Sequence, residues 1–138
     1  MIDVYVAVVI VIYKSDQWLE LYEDRQEFPN GRVLRRLGYN GVSETTKRTE
    51  TYRQAARRCL AEELQFCTPS KYRLSRRFKV EHREPVQSEK FTGLRAAYHR
   101  HIFECTISDE LFRPEGYVEN EDGRLIYFKW KPRRNAER

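Results

Sequence analysis

The sequence predicts one α+β domain, in which strands come first, a single helix follows and strands return. Three observations lead there. Val4–Tyr13, "VYVAVVIVIY", is a continuous run rich in β-branched residues. Only the stretch around Ala55–Leu64, "AARRCLAEEL", carries a helical period, and the segments after it are again aromatic, β-branched and broken by turns. The chain has 138 residues, 40% of them hydrophobic and 13% aromatic, which is enough for one compact core despite 34% charged residues. The expected organisation is a single domain over 1–131 and a polar, basic C-terminal tail over 132–138.

The elements follow in order. Val4–Tyr13 reads as a central strand covered on both faces, because it does not alternate with polar residues. "KSDQ" is a turn, Trp18–Glu23 alternates as a second strand would, and "FPNG" is another turn. Residues 32–50 lack a long period and read as a short strand and a loop, with Gly38 and Gly41 supplying flexibility. The helix comes next. Thr49 or Thr51 caps it, Glu50 lies near its positive end, and Ala56, Leu60 and Leu64 recur every four residues until "TPS" (Thr68–Ser70) ends the segment. Tyr72–His82 is a strand, "PVQSEKFTG" a loop, and Leu94–Ile107 a long strand. "SDELF" fits a helical turn, and Gly116–Trp130 reads as strand, acidic turn and final strand.

The formal charge is +5, from 26 Lys plus Arg against 21 Asp plus Glu. A mild positive excess suits phosphate-bearing partners, from a nucleotide or other small molecule to RNA, and no like-charged run is long enough to be a basic arm. The cysteines, Cys59, Cys67 and Cys105, are odd in number and show no CxxC or zinc spacing. They read as reduced, mostly buried thiols, which points to a cytoplasmic location. The apolar N-terminal run is too short to span a bilayer and has neither a basic flank nor a cleavage site, so no membrane association is expected. The sequence is compatible with a homodimer.

On the helix, Cys59, Glu62 and Glu63 share a face and Arg58 sits four residues before Glu62. Neighbouring carboxylates repel unless a cation lies between them. A hard divalent ion such as Mg²⁺ meets that need with oxygen ligands, with bound phosphates completing its shell. The plain alternative is a solvated helix face, where adjacent glutamates are common.

The stretch resembles the Nudix box, G-x5-E-x7-R-E-U-x-E-E-x-G-U, where U is bulky and aliphatic. Aligned on Arg58, Glu50 falls on the first glutamate, Leu60, Glu62 and Glu63 match, and Phe66 takes the last bulky position. Glu44 stands at the first glycine, Cys59 at the glutamate after the arginine, and Gln65 at the late glycine. The resemblance implies an α/β/α sandwich with a mixed sheet. It also implies hydrolysis of a nucleoside diphosphate-linked compound with Mg²⁺ or Mn²⁺, in which Glu62, Glu63 and Glu50 bind the metal and Arg58 orients the cluster. Cys59 is the obstacle, because a thiol is a soft ligand and Mg²⁺ a hard ion. The stretch is also similar, more distantly, to isopentenyl diphosphate isomerase. At the positions where that enzyme carries a cysteine and a metal-binding histidine this chain has Ser43 and Thr45, and isomerase activity is not expected.

Other candidates lie elsewhere. His99 and His101 alternate on a predicted strand and so share a face; with His82 they complete the histidines. The loop acids Glu81, Glu84 and Glu89 and the cluster Glu119, Glu121 and Asp122 are alternative sources of the acid missing at Cys59. On the substrate side, Tyr98 is placed to stack on a base and Arg95 or Arg100 to meet phosphate. Two functions remain open: a divergent metal-dependent hydrolase, and a module of the same fold that has lost hydrolysis and binds a nucleotide, a nucleotide sugar or RNA. A protein-interaction domain using the basic surface is a weaker third.

Overall fold

A computed structural model describes residues 2–36, 38, 40–76, 79–82, 86–87 and 95–133. Among them are ten strands and one α-helix: β1 Ile2–Lys14, β2 Trp18–Glu27, β3 Val33–Leu34, β4 Val42–Thr45, α1 Tyr52–Leu64, β5 Tyr72–Leu74, β6 Lys79–His82, β7 Val86–Gln87, β8 Arg95–Ile107, β9 Tyr117–Glu121 and β10 Arg124–Pro132. The strands form one mixed sheet in the order β5-β8-β1-β2-β10-β9. The α+β class read from the sequence is the class observed.

β1 is the axis of the sheet. It pairs parallel with β8 from Ile2 to Ile12 and antiparallel with both β4 (Val6–Val9) and β2 (Ile12–Lys14). Ala7, Val8 and Val9 are buried in succession, as are Val11 and Ile12, so both faces of its centre are covered. That is why its sequence is a continuous apolar run rather than an alternating one. The odd-numbered members Ala7, Val9 and Val11 join the main core with Phe103, Cys105 and the buried face of α1.

Of the two possible caps, Thr51 caps α1. Its hydroxyl accepts from the Gln54 N–H at 3.0 Å, and the Gln54 side chain accepts from the Thr51 N–H at 2.9 Å. Ala55, Ala56, Cys59, Leu60 and Leu64 form the buried face. Burying a leucine such as Leu60 contributes about 2 kcal/mol. The helix stops at Leu64, before "TPS", because Gln65 turns into the left-handed region (φ 61°, ψ 30°). Its N–H returns to the Ala61 carbonyl, that of Phe66 returns to Leu60, and Pro69–Lys71 form a separate 3-10 turn.

Gly41 (φ +73°) lets the chain enter β4 against β1. A Cβ there would lie 2.1 Å from the Val9 carbonyl oxygen, so only glycine fits. Val42–Thr45 then pair with β1, with Glu44 opposite Ala7.

The later strands differ from the sequence reading in three places. Tyr72–His82 is two strands, β5 and β6, both on β8. From Leu74 to Lys79 the outer chain advances five residues while β8 moves only from Cys105 to Ile102, so the ladder is interrupted. Within "PVQSEKFTG", Val86 and Gln87 pair with β8, while residues 88–93 of that loop lie outside the described residues. The final strand runs through Pro132, two residues past Trp130, and the Arg133 N–H donates to the Trp18 carbonyl. The residues after Arg133 lie outside the described ones. "SDELF" makes a turn, with Leu111 N–H on Ser108 and Phe112 N–H on Asp109. Cys59 and Cys105 are buried and Cys67 is exposed, all three as free thiols. Among the described residues no helix is long and apolar enough to cross a membrane.

Candidate active site

Helix α1 carries its charges against its own dipole. No acid lies in its first turn and no base in its last, whereas Arg53 and Arg57 sit toward the N-terminus and Glu62 and Glu63 close the C-terminal turn. A helix under selection for stability alone favours the reverse. Arg58 and Glu62 lie on the flank toward β4, and Glu63 lies one turn after Cys59 on the face that packs into the fold.

Arg58 organises the first part of the site. Its Nε donates to Glu50 Oε2 at 2.9 Å and its Nη2 to Glu50 Oε1 at 3.0 Å, a two-point contact. Nη2 also donates to the Thr45 carbonyl at 2.9 Å, which ties the helix to β4. Nη1 faces Glu62 at 3.3 Å and Glu44 at 3.5 Å. Glu50 also accepts from the Lys47 N–H. The Arg58 guanidinium holds the Glu50 carboxyl down at about 2. Both Glu50 oxygens are thus engaged by Arg58, and this acid reaches the cluster through the arginine.

Beside this pair, Glu63 of α1 feels the charges of two acids from other elements, Glu44 of β4 and Glu119 of β9. Burial pushes the Glu63 carboxyl well above the usual carboxylate range; the Cys59 thiol pulls it down, and Glu119 and Glu44, the latter within hydrogen-bonding reach, push it up. Cys59 is fully buried and its Sγ donates to Glu63 Oε2 at 3.1 Å. Burial, followed by the Glu63 charge, holds that thiol well above its ordinary value, so it is protonated. Glu119 is pushed up to about 7 by burial, then by Glu121 and Glu44, against the pull of Arg124. Its Oε1 is buried and has no hydrogen-bond partner among the described residues.

The β9–β10 hairpin delivers Glu119. Asp122 (φ 53°) and Gly123 (φ 87°) make the tight two-residue turn that positive φ values allow. Pairing then sets Glu119 beside Ile126, which in turn lies beside Gln26 of β2. Of the described outside acids left open by the sequence, Glu119 is the one whose charge acts on Glu63. Glu121 pairs with Arg124 at 2.9 Å and Glu81 with Arg100 at 2.5 Å, while Glu84 and Glu89 lie outside the described residues.

The expected substrate-side residues are placed differently. Tyr98 and Arg100 pair with Val4 and Val6, the even-numbered positions of β1. Side chains alternate along a strand, so both point to the sheet face away from α1 and its acids. Arg95 is exposed near the start of β8. His99 and His101 share the other face, as alternation required: His99 stacks on Tyr5, and His101 stacks on Tyr52 of α1 with centroids 3.4 Å apart.

Two features escaped the sequence. Glu44 counts there only as a missing glycine, although its strand position points it across β4 at the helix. The second is a buried polar group. Glu23, 7% exposed, takes two hydrogen bonds from Arg36, at 2.7 and 3.0 Å, and accepts from the Gln26 amide.

The donor set suits a hard cation. Glu44, Glu62, Glu63 and Glu119 offer only carboxylate oxygens, and the unpartnered Glu119 Oε1 is an acceptor that a cation would satisfy. Among the described residues no three acidic, histidine or cysteine side chains are drawn together closely enough to hold a metal ion by themselves. Mg²⁺ ordinarily needs no such cage, since it takes one or two carboxylates and completes its shell with water and substrate phosphates.

No protein-family model matches the chain, and no curated protein matches it in sequence. Solved structures do. A crystal structure of the C. elegans Ap4A hydrolase is similar over 96% of this chain and 81% of its own, with a TM-score of 0.52 at 13% identity. A binary complex of a C. elegans Ap4A hydrolase is similar over 94% and 80%, with a TM-score of 0.56 at 14% identity. A mutT/nudix family protein from Listeria innocua follows at 12% identity over 92% and 79%, with a TM-score of 0.44. At these identities the likeness is one of fold: the chain is a Nudix-like α/β domain built on a mixed sheet.

Proposed function

We propose that this domain is a divalent-metal-dependent hydrolase of nucleoside diphosphate-linked compounds, with a carboxylate set rearranged around Cys59. The observation that carries this reading is the buried Glu119 Oε1, which has no partner among the described residues, together with a part-buried Glu63 that feels the charges of both Glu119 and Glu44. Packed acids of one sign destabilise a fold, and a chain that keeps them has a use for them. Glu44 stands where the Nudix box has glycine, and Cys59 where it has glutamate. The two departures offset each other: a carboxylate leaves the helix and another arrives from β4.

In this reading Glu63 and Glu44 would supply the one or two carboxylates that Mg²⁺ or Mn²⁺ takes, with Glu62 beside them, and Glu50 keeps Arg58 in place behind them. A bound divalent ion supplies charge neutralisation of the diphosphate and acidifies nearby water. Glu119, with its carboxyl near 7, is suited to take the proton of the attacking water at Oε1 while the water oxygen bonds to phosphorus and the phosphoanhydride oxygen leaves. The Ap4A hydrolases that share the fold add weight to a nucleotide-type substrate.

The second reading, a binding module that has lost hydrolysis, is favoured by one contact: the Cys59 thiol proton occupies Glu63 Oε2. Phosphate release from a panel of nucleoside diphosphate compounds with Mg²⁺ or Mn²⁺ separates the two. Release by the wild type that is lost in Glu63→Gln and Glu119→Gln supports the hydrolase. A wild type inactive on every compound, with turnover appearing in Cys59→Glu, supports the lapsed module.

A further inference from the structure

A β-bulge places two polar residues of β2 on the core face of the sheet. Arg25 lies opposite Tyr127 and Glu23 opposite Phe128, so Asp24 is an extra residue in the strand. Strict alternation would send Glu23 and Gln26 to opposite faces. The bulge brings both to the face of Phe128 and Ile126, which belong to the main core. Glu23 is 7% exposed and Gln26 4%. Bulges beside functional sites re-aim side chains in this way.

Glu23 is satisfied and Gln26 is not. Arg36 donates to both Glu23 oxygens, at 2.7 and 3.0 Å. The Gln26 amide nitrogen donates to the same carboxylate, 3.2 Å from each oxygen. That contact fixes the amide, because turning it over would set its oxygen against the carboxylate. Gln26 Oε1 is therefore directed away from Glu23, and it is buried with no donor among the described residues. An acceptor left so costs stability, which an apolar side chain there would not. Leu34, Gln26, Ile126 and Glu119 form one row across β3, β2, β10 and β9. Leu34 is 40% exposed, so the row meets solvent beside Gln26. At the other end stands Glu119, whose Oε1 is also an unpartnered acceptor. Two strand spacings, about 10 Å, separate the Gln26 and Glu119 backbones, with the apolar Ile126 between them.

We infer that Gln26 is a specificity-determining residue, whose Oε1 accepts a hydrogen bond from the exocyclic amino group of an adenine or cytosine base. The inference rests on one part of the proposed function, the binding of a nucleotide with its phosphates at the acidic cluster. The length of the row is the reach of one nucleoside from base edge to phosphate. Leu34 and Ile126 offer apolar surface to the flat of the base, and one fixed polar group sets its orientation. Hypoxanthine carries a carbonyl oxygen where adenine has its amino group, and uracil where cytosine has it. The Gln26 amide nitrogen is engaged by Glu23, so it has nothing to give those carbonyls, and two acceptor oxygens would face each other.

The test is calorimetry with Mg²⁺ on two ligand pairs, AMP against IMP and CMP against UMP. Each pair exchanges an amino group for a carbonyl, and none of the four has a phosphoanhydride to hydrolyse. The wild type binds AMP and CMP about 10-fold or more tighter than IMP and UMP, since the carbonyl leaves Gln26 Oε1 without a donor. Gln26→Met, of similar size and without the acceptor, removes most of both preferences. Tyr98→Phe, on the opposite sheet face, keeps them. The wild-type preferences are read from the ligands alone, so they decide the matter even if Gln26→Met does not fold. Equal binding within both pairs, preferences unchanged in folded Gln26→Met, or no binding of any of the four overturns the inference. The hydrolase reading fails by a different result. A preference for amino-bearing bases with no phosphate release from any nucleoside diphosphate compound removes hydrolysis and leaves the inference standing. Release at equal rates from adenosine and inosine compounds does the reverse.

Discussion

Arg58 grips Glu50 through two parallel hydrogen bonds, at 2.9 and 3.0 Å, and the same guanidinium group reaches Thr45, Glu44 and Glu62. The helix, the strand before it and the loop between them are therefore tied at one point. Side-chain exposure is 18% for Arg58 and 12% for Glu50, so removing either partner strands a largely buried group. Glu50→Gln is expected to cost about 2 kcal/mol at neutral pH, in urea unfolding. The Glu50 carboxyl falls from its ordinary 4.5 to about 2 in the fold, so its stabilisation is complete above pH 4.5 and is lost as pH falls toward 2. The gap between wild type and Glu50→Gln should hold steady above that range and close within it. A gap that widens on acidification rules the pair out as the cause.

Glu63 has the opposite sign. Burial raises its carboxyl, so the fold favours the protonated form and loses stability as pH rises above 4.5. Without metal, Glu63→Gln is expected to melt higher than wild type at pH 8, with the advantage fading toward pH 5. With Mn²⁺ present the order should reverse, because only the wild type gains from the ion. Identical melting curves in EDTA at both pH values would count against a buried carboxylate here.

The exchange of Glu44 for Cys59 is testable by undoing it. Glu44→Gly alone is expected to weaken Mn²⁺ binding, read by electron paramagnetic resonance, by about 10-fold or more. Adding Cys59→Glu to that variant should recover most of the loss. If Glu44→Gly binds Mn²⁺ as the wild type does, Glu44 has not taken over the missing carboxylate. If the wild type binds none, the metal reading itself fails.

Gln65 ends the helix at φ 61°, a conformation that suits glycine, and stands where the Nudix box has that residue. Gln65→Gly should relieve the strain and stabilise by about 1 kcal/mol, or roughly 4 °C in Tm. An unchanged or lower Tm shows that the side chain of Gln65 makes up for its backbone.

What the sequence determined by itself is what local periodicity and short spacing can encode. The unbroken β-branched run of β1, the four-residue repeat of α1 and the shared face of Cys59 and Glu63 all follow from geometry within one segment. The alternation of His99 and His101 does too. Tertiary structure decided what depends on register between distant strands. Pairing with β1 put Tyr98 and Arg100 on the face away from α1, and the β9–β10 hairpin set Glu119 beside Ile126. The position of Glu44 opposite Ala7, under the helix, turned a missing glycine into a candidate ligand. A one-residue change of register would send each of these side chains to the opposite face, and no local pattern specifies that register.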